Sequence, residues 1–364
     1  MLDRRTFACL SLASFVPSRA EATSPTSQAI ERAAEASLGS QAAGIALAAL
    51  GGEVLWSGPV GRPPERQAAR RSTVFDALSI GKFFTSVALM RLVDLGRLDL
   101  NAAIKTYLPE LPASFDGLKV RHALNNDTGL PVYLEGDDLL PRTAEQALAE
   151  IAAAAPDRGP GTGYRYSNVS YQLLGLMIER ITGSSYEEAV RALVLDPVGL
   201  SSTDVFSSPR WRSADVASGW IDRDNRGSPA RWPNTWSLLG AAGWATTIDD
   251  LFRLNRAVTA GPFLSPLTRQ RMFTGGAPTY GRRPIGGSGM YEITYGCGMF
   301  HWLDGQGRRV HFSGGAGDFG FHAMTLWREN DDVYVAAMLN TQRSGVEIDR
   351  AAFFDAILAL LSAS

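Results

Sequence analysis

The 364-residue sequence has few of the residues that build metal or disulfide centres. It contains two cysteines and four histidines, which are too few for a Cys/His zinc cluster, and no HExxH pattern occurs. Its 35 basic and 37 acidic residues give a formal net charge of −2, and no run of one sign dominates. A nucleic-acid partner and an anionic membrane surface are therefore not indicated. No apolar run reaches the roughly 20 residues that a membrane-spanning helix needs.

Lysine is also scarce, since the sequence has 32 arginines but only Lys82, Lys105 and Lys119. Arginine keeps its proton at ordinary pH, whereas a lysine can lose its proton when it is buried. Each lysine is thus a potential base. The remaining composition, with 45% hydrophobic and 20% charged residues, is typical of a globular protein.

The first 22 residues have the pattern of an export signal. Arg4 and Arg5 precede a short apolar stretch at 7–16, and a small-x-small cleavage site ends at Ala22. We predict a twin-arginine (Tat-type) signal peptide over residues 1–22, cleaved after Ala22, and hence a periplasmic or secreted protein. The alternative is a frayed N-terminal helix.

Apolar periodicity predicts strands at both ends of the chain and helices between them. Two apolar runs, 44–50 and 53–59, flank Gly51-Gly52 and predict a hairpin with a mirror-image turn. Helical spacing predicts helices over 26–38, 79–95, 143–154, 170–182 and 346–362. Strand patterns cover 294–303, 308–312, 318–328 and 333–340. The stretch 208–245, rich in Trp, Pro, Gly and Ser, is expected to be largely loop.

This order of elements predicts an α/β (α+β) fold. One antiparallel sheet would be assembled from both chain ends, with a mainly helical, loop-rich subdomain inserted between them. We place the discontinuous sheet domain at 23–95 and 285–364, and the inserted subdomain at 96–284.

Ser79-Ile80-Gly81-Lys82 places a hydroxyl and an amine one helical turn apart, on the same helical face. The helix N-terminus adds a positive dipole and a backbone N–H beside the hydroxyl. Burial would disfavour the charged form of Lys82 and leave it a base near neutral pH. A Ser–Lys pair is a known way to activate a weak nucleophile. The alternative is a helix-capping serine followed by a solvated lysine.

Two further segments carry groups that suit such a pair. Tyr166 and Asn168 lie two residues apart before a helical run, so that in an extended segment both side chains face the same way. The phenol could pass a proton to a leaving group, and the amide could hydrogen-bond Lys82. Residues 311–315 end a strand in a Gly-rich edge, whose N–H could share an oxyanion hole with the N–H of Ser79.

Ser79-x-x-Lys82, Tyr166-x-Asn168 and the Gly-rich strand, in this order, resemble the serine β-lactamase and penicillin-binding-protein superfamily. The nearest resemblance is to the class C β-lactamase-related branch of serine hydrolases, which includes esterases and D-amino-acid peptidases. It runs from about residue 43 to the C-terminus and includes the segments "GPGTGYRYSNVSYQLLGLMIERITGSSYEEAV", "LDPVGLSSTDV", "AAGWATTIDDLFRL" and "YGCGMFHWLDGQGRRVHFSGGAGDFGF".

The resemblance implies a β-lactamase/transpeptidase-like fold and an acyl-enzyme that needs neither a metal nor an organic cofactor. Ser79 would be the acylated nucleophile and Lys82 its base. Tyr166 would relay protons and activate water for deacylation, while Asn168 would position Lys82 and the substrate. The substrate-binding edge, which includes the second oxyanion donor, would be formed by Ser313, Gly314 and Gly315.

Two departures from the family pattern bear on the substrate. The third motif usually starts with Lys or His, and alignment on the glycines puts Phe312 there. His311 stands one residue earlier, so strand alternation sends its side chain to the opposite face unless a β-bulge re-aims it. Asn126 replaces a His in a turn that is usually structural. Without a cation, we expect a neutral ester or amide rather than a β-lactam or a D-Ala-D-Ala peptide, because both of those present a carboxylate.

Aromatic residues could wall an apolar acyl pocket, with ordinary packing as the alternative. The candidates are Trp211, Trp220, Trp232, Trp236, Trp244 and Tyr291. Three histidines are interpreted as structural: His122, His301 and His322.

The sequence therefore predicts a carboxylesterase-like serine hydrolase with a small-molecule substrate. An acyltransferase that uses the same acyl-enzyme, a non-hydrolytic penicillin-binding receptor and a weakened pseudo-enzyme remain open alternatives.

Overall fold

The structure, a computed structural model, describes residues 25–64, 67–279 and 292–362. Its strands are, in chain order, β1 (Ala42–Leu50), β2 (Glu53–Val60), β3 (Phe75–Asp76), β4 (Asp204–Val205), β5 (Gly219–Ile221), β6 (Asp224–Gly227), β7 (Trp244–Thr246), β8 (Ala277–Thr279), β9 (Ile293–Gly296), β10 (Met299–Leu303), β11 (Arg309–Ala316), β12 (His322–Arg328) and β13 (Val333–Gln342). Its α-helices are α1 (Pro25–Leu38), α2 (Gly81–Asp94), α3 (Val120–Leu124), α4 (Ala144–Ala154), α5 (Asn168–Thr182), α6 (Tyr186–Val190), α7 (Asp196–Val198), α8 (Ile248–Ala260), α9 (Pro266–Thr274) and α10 (Arg350–Ser362).

A large sheet joins the two ends of the chain in the strand order β2-β1-β13-β12-β11-β10-β9-β8, and all these neighbours are antiparallel. The last strand, β13, lies between β1 and β12, with Ile45 opposite Met338. The β1–β2 turn has positive φ at Gly51 (58°) and Gly52 (84°), which is the mirror-image geometry that the Gly-Gly pair predicts. The prediction of a mixed fold with one antiparallel sheet built from both ends is confirmed.

Helices cover both faces of this sheet and create two apolar cores. On one face, α1 and α10 pack against the strands through Ile30, Ala34, Phe353 and Ile357. On the other face lies the larger core, formed with the helical middle of the chain. Helix α2 lies in that larger core and is buried on almost every side, as its apolar sequence predicts.

A short second sheet leads into helix α2. Strand β3 pairs with β7, with Phe75 opposite Thr246 and Asp76 opposite Ala245. A single 3₁₀ turn, Leu78–Ile80, then connects β3 to α2. This turn contacts strands β11 and β12, so Ser79 lies where the large sheet meets the helical region.

Several element boundaries differ from the sequence-based expectation. The run 294–303 forms two strands, because Cys297 (φ 53°) and Gly298 (φ 78°) make a tight turn inside it. Strand β11 continues through the glycines to Ala316. Strand β12 starts only at residue 322, helix α10 only at residue 350, and the expected loop 208–245 contains two short strands and the start of a third.

The predicted signal peptide lies outside the described residues, and the predicted domain limits stay predictions. In the part of the chain that the structure describes, no helix is both long and apolar enough to cross a bilayer.

Candidate active site

Ser79 lies in a backbone turn that is fixed on both sides. The N–H of Ala77 donates to the carbonyl of Trp244 at 2.8 Å, and the N–H of Leu78 donates to Oδ1 of Asp76 at 2.7 Å. Leu78 has a φ of 51°, a left-handed conformation that is uncommon for a branched side chain. The nucleophile candidate thus follows directly after a strained residue.

The amine of Lys82 is buried against Ser79, with 1% of the residue exposed. Its Nζ lies 3.1 Å from Ser79 Oγ, 2.6 Å from Asn168 Oδ1 and 3.2 Å from the carbonyl oxygen of Ala241. Burial lowers the pKa of Lys82 from 10.5 to about 7, against a smaller opposing effect of the Asp138 carboxylate. A large share of these amines is therefore neutral near pH 7.

The three neighbours of Nζ determine where a neutral amine points its lone pair. A neutral amine has two N–H donors and one lone pair. The oxygens of Asn168 and Ala241 can only accept hydrogen bonds, so both N–H groups are directed to them. The lone pair is left facing Ser79 Oγ. This geometry suits removal of the serine proton.

A close backbone approach brings the Ala241 carbonyl to this position. A Cβ at Gly81 would lie 2.8 Å from the Cα of Ala242, so only glycine allows the 241–242 segment to lie so near the start of α2. Sequence reasoning could not predict the contact of the Ala241 carbonyl, because a backbone oxygen has no counterpart in the pattern of residue types.

Tyr166 completes the group around Ser79. Its hydroxyl lies 2.6 Å from Ser79 Oγ, and its ring centroid lies 4.8 Å from the Lys82 amine. Ser167, the next residue, caps α5 by accepting the N–H of Ser170 and donates its own hydroxyl to the Pro131 carbonyl. Asn168 begins the helix rather than continuing an extended segment, but its side chain still reaches Lys82.

Gly315 brings strand β11 against Ser79. A Cβ at Gly315 would lie 2.7 Å from the backbone nitrogen of Ser79 and 2.6 Å from the Cβ of Leu78. Gly314 lines the same cleft. The side chain of Ser313 is not part of this lining, because its Oγ donates to the carbonyl of Gly298. Of the three residues predicted to form the substrate-binding edge, Gly314 and Gly315 line the cleft and Ser313 does not.

The side chains of His311 and Phe312 point to opposite faces of β11, because this strand pairs with β10 and β12 without a register shift. Neither the β10–β11 nor the β11–β12 pairing contains a shift, so the bulge that could have re-aimed His311 is absent. His311 is buried with its Nδ1 2.7 Å from Nδ1 of His301, and its ring stacks on Trp327 at 5.1 Å. Phe312 lines the Ser79 cleft instead and packs on Phe354 at 5.9 Å.

The two neighbouring histidines are uncharged at neutral pH. Burial, and then the proximity of His311, lowers the pKa of His301 from 6.5 to about 3. Burial also lowers the pKa of His311, although Glu329 opposes this effect. Neither residue supplies the cation that the family pattern has at the third motif.

The cleft above Ser79 has a volume of about 300 Å³ and is lined by both apolar and polar residues. Its apolar lining consists of Leu78, Phe206, Leu238, Phe300, Phe312 and Phe319. Its polar lining outside the Ser–Lys–Tyr group consists of Asp76, Tyr133, Asp138, Asn168 and Arg350. Phenylalanines, not tryptophans, therefore form the apolar wall.

The tryptophans belong to the packing of the core or its edge, and none of the five lines this cleft. Trp236 is buried with its ring 5.8 Å from that of Tyr186, and Trp232 packs behind the lining residue Phe319 at 4.8 Å. The proposed tryptophan pocket, including the Trp236 candidate, is wrong. Tyr291 lies outside the described residues.

Asn126 and the remaining histidines also lie away from the cleft lining. Asn126 is buried with a φ of 52°, and its carbonyl accepts the N–H of Arg165 next to the tyrosine. His122 accepts the N–H of Lys119 at the start of α3. These hydrogen bonds stabilise the local backbone around Arg165 and at the start of α3.

A comparison with known proteins assigns the chain to a family. Residues 28–360 match the Beta-lactamase family. The chain belongs to this family. It is 31% identical over 266 residues to esterase EstB of Burkholderia gladioli, which covers 62% of this chain and 67% of EstB. It is 27% identical over 294 residues to a penicillin-binding protein of Bacillus subtilis (strain 168), which covers 75% of this chain and 62% of that protein.

The fold is shared with solved structures as well. The D-amino acid amidase of Ochrobactrum anthropi SV3 superposes with a TM-score of 0.76 at 20% identity, covering 93% of this chain and 99% of the amidase. The predicted superfamily and the β-lactamase-like fold are thus confirmed.

Proposed function

We propose that this chain is a serine hydrolase that forms an acyl-enzyme on Ser79 and acts on an ester or amide. The observation that carries the proposal is the buried Lys82 amine, whose lone pair faces Ser79 Oγ while Asn168 and Ala241 accept its two N–H groups. An amine with a pKa of about 7 in this position acts as a general base near neutral pH.

In the first step, Ser79 Oγ attacks the carbonyl carbon while its proton moves to Lys82 Nζ. The negative charge that develops on the carbonyl oxygen is stabilised by the N–H groups of Ser79 and Gly315, two residues whose backbones approach closely. The carbon–oxygen bond to the leaving alcohol then breaks. The alcohol takes up the proton through the Tyr166 hydroxyl, 2.6 Å from Ser79 Oγ.

In the second step, water attacks the acyl carbon. Tyr166, whose hydroxyl contacts Ser79 Oγ and whose ring lies beside the Lys82 amine, takes the proton from water as the new bond forms and at the same time passes its own hydroxyl proton toward the neutral Lys82 amine. The bond from carbon to Ser79 Oγ breaks, Oγ regains a proton, and the carboxylic acid leaves.

The lining of the cleft favours a neutral acyl group over a carboxylate-bearing one. Phe312 stands where a cation would hold a carboxylate. Asp138 also lines the cleft, and its pKa is raised first by partial desolvation and then by the charges of Asp137 and Asp318. Whenever Asp138 is ionised, a substrate carboxylate meets a like charge there. Among the described lining residues, Arg350 is the one arginine, and it also lines a neighbouring depression. The likeness to a protein named an esterase supports the same choice.

A substrate panel tests the proposal. Short-chain nitrophenyl esters, a chromogenic cephalosporin and D-amino-acid amides are offered to the wild type, to Ser79→Ala and to Ser184→Ala, whose serine is exposed in the α5–α6 loop. We expect ester turnover to disappear in Ser79→Ala alone and to exceed cephalosporin turnover in the wild type. Faster cephalosporin hydrolysis would overturn the substrate preference, and turnover that survives in Ser79→Ala would overturn the nucleophile.

The same experiment separates the other functions that an acyl-enzyme permits. Intact mass spectrometry after addition of substrate detects a persistent adduct on Ser79, which indicates a receptor instead of a hydrolase. Product analysis with an added alcohol detects a transferred acyl group, which indicates an acyltransferase.

Export of the protein through the twin-arginine route is a separate part of the proposal. It rests on Arg4, Arg5 and the cleavage pattern that ends at Ala22. N-terminal sequencing of the protein from a periplasmic fraction is expected to start at residue 23. An uncleaved cytoplasmic chain would contradict this assignment.

A further inference from the structure

Asp76 is a buried carboxyl group that the proposed reaction does not use. It is 4% exposed and lies on the lining of the Ser79 cleft. Its Oδ1 accepts the N–H of Leu78 at 2.7 Å. Burial raises the pKa of Asp76 to about 7, although the bond from Leu78 opposes this effect and Asp138 adds to it. Burying a carboxyl group costs free energy unless its hydrogen bonds compensate. The hydrogen bond from the N–H of Leu78 therefore indicates what Asp76 does.

That contact holds a residue in a strained conformation. Leu78 has a φ of 51°, and left-handed backbone is unfavourable for a non-glycine residue because its Cβ crowds the neighbouring carbonyl oxygen. Such strain persists only where neighbouring contacts enforce it. The Asp76 side chain closes a turn over Leu78 by bonding a backbone N–H two residues ahead, as aspartate commonly does in turns.

The residues before Leu78 are held by backbone hydrogen bonds to strand β7, and the residue after it is the proposed nucleophile, Ser79. Asp76 is paired with Ala245 in the small sheet, and Ala77 is bonded to the carbonyl of Trp244. The next backbone nitrogen after Leu78 is that of Ser79, which faces Gly315 on strand β11. A rotation of the Leu78 backbone toward ordinary φ values would turn this N–H away from the carbonyl oxygen that it must reach.

We propose that Asp76 is a positioning residue: by accepting the N–H of Leu78, it holds Leu78 in the left-handed conformation and so aims the Ser79 N–H into the oxyanion site. The inference rests on the proposed function. The carboxyl need not be charged for this role, because a neutral acid or an amide accepts the same bond through its carbonyl oxygen.

Five variants and one readout test this role, with Leu78→Gly alone as the reference for the two double variants. The readout is the second-order rate constant with which a fluorophosphonate labels Ser79, followed by intact mass, because its P=O group uses the same donors and no turnover is needed. The Asp76→Ala change removes the acceptor, while Asp76→Asn retains one. Each of the two Asp76 changes is also made in the Leu78→Gly background, since glycine adopts positive φ at little cost. Melting temperatures establish that every variant is folded.

We expect Asp76→Ala to lower the labelling rate about 10- to 100-fold, since a misplacement of about 1 Å at a reacting centre costs about 100-fold. Where an ester is turned over, kcat falls and KM changes little. Asp76→Asn is expected to recover most of the rate. In the Leu78→Gly background, Asp76→Ala is expected to change the rate less than threefold.

Three results would overturn the inference while the proposed function stands. These are labelling of folded Asp76→Ala at the wild-type rate, an Asp76→Asn variant as slow as Asp76→Ala, and an equally large loss in the Leu78→Gly background. The second result would make Asp76 an acid or base that meets the substrate directly. A wild-type chain that takes no label at Ser79 refutes the proposed function, and this inference with it.

Discussion

Replacement of Lys82 by arginine separates the role of a base from that of a positive charge. If Lys82 served only as a cation beside Ser79, arginine would substitute for it. If its lone pair removes the serine proton, as the acceptors at Asn168 and Ala241 suggest, arginine fails because its guanidinium has no lone pair to offer while charged.

The size of the effect follows from the burial of the site. Burial brings the pKa of Lys82 from 10.5 to about 7, so about half of these amines are neutral at pH 7. An equal decrease for arginine, from about 12.5 to about 9, would leave about one side chain in a hundred neutral. We therefore expect Lys82→Arg to lower kcat/KM at least about 50-fold.

The assay is hydrolysis of a nitrophenyl ester at pH 7, with the melting temperature as a check on folding. Lys105→Arg is the matched control, because Lys105 forms an ion pair with Asp116 at 2.7 Å and lies outside the cleft lining. The control is expected to keep wild-type activity. A folded Lys82→Arg variant that works within fivefold of wild type would refute the assignment of a base.

Three further predictions concern pH, the oxyanion site and the substrate. Between pH 5.5 and 8, kcat/KM is expected to rise with a midpoint near 7, because protonated Lys82 has no lone pair; a profile flat below pH 7 contradicts this. Gly315→Ala is expected to lower kcat more than tenfold by displacing the Ser79 backbone, while Gly159→Ala, where a Cβ meets only Thr162 Cγ2 at 3.5 Å, leaves it unchanged. Phe312→Lys is expected to raise the rate ratio of cephalosporin to ester, measured with both chromogenic substrates; an unchanged ratio contradicts a role for this position in selectivity.

Sequence reasoning predicted best where a local rule fixes the geometry. The Gly51-Gly52 pair predicted its mirror-image turn because only glycine readily adopts two consecutive positive φ values. Strand alternation put His311 and Phe312 on opposite faces of β11, because the pairing contains no shift, and of the two side chains only that of Phe312 lines the cleft. The i, i+3 spacing also brought Ser79 and Lys82 within contact.

The predictions from the sequence were wrong where tertiary packing, and not a local pattern, determines which of several apolar residues lines the cleft or forms a turn. Tryptophans and phenylalanines fill the same region, and nothing in composition tells that Phe319 lines the cleft while Trp232 packs behind it. The Cys297-Gly298 turn was missed because cysteine seldom takes a positive φ and the flanking residues form one apolar run. The turn at Leu78 was missed for the same reason, and with it the contact of Asp76.

The position of β13 has a consequence for how the chain is made. This strand, the last of the sheet, lies between β1, the first, and β12. While a ribosome is still synthesising residues 333–342, β1 has only its hairpin partner β2, and one of its edges lacks a neighbour. Pairings between such distant segments slow folding, and unpaired strand edges promote aggregation. The nascent polypeptide therefore depends on residues 333–342 to cover this edge of β1, and chaperone binding near β1 is expected to persist until they have been synthesised.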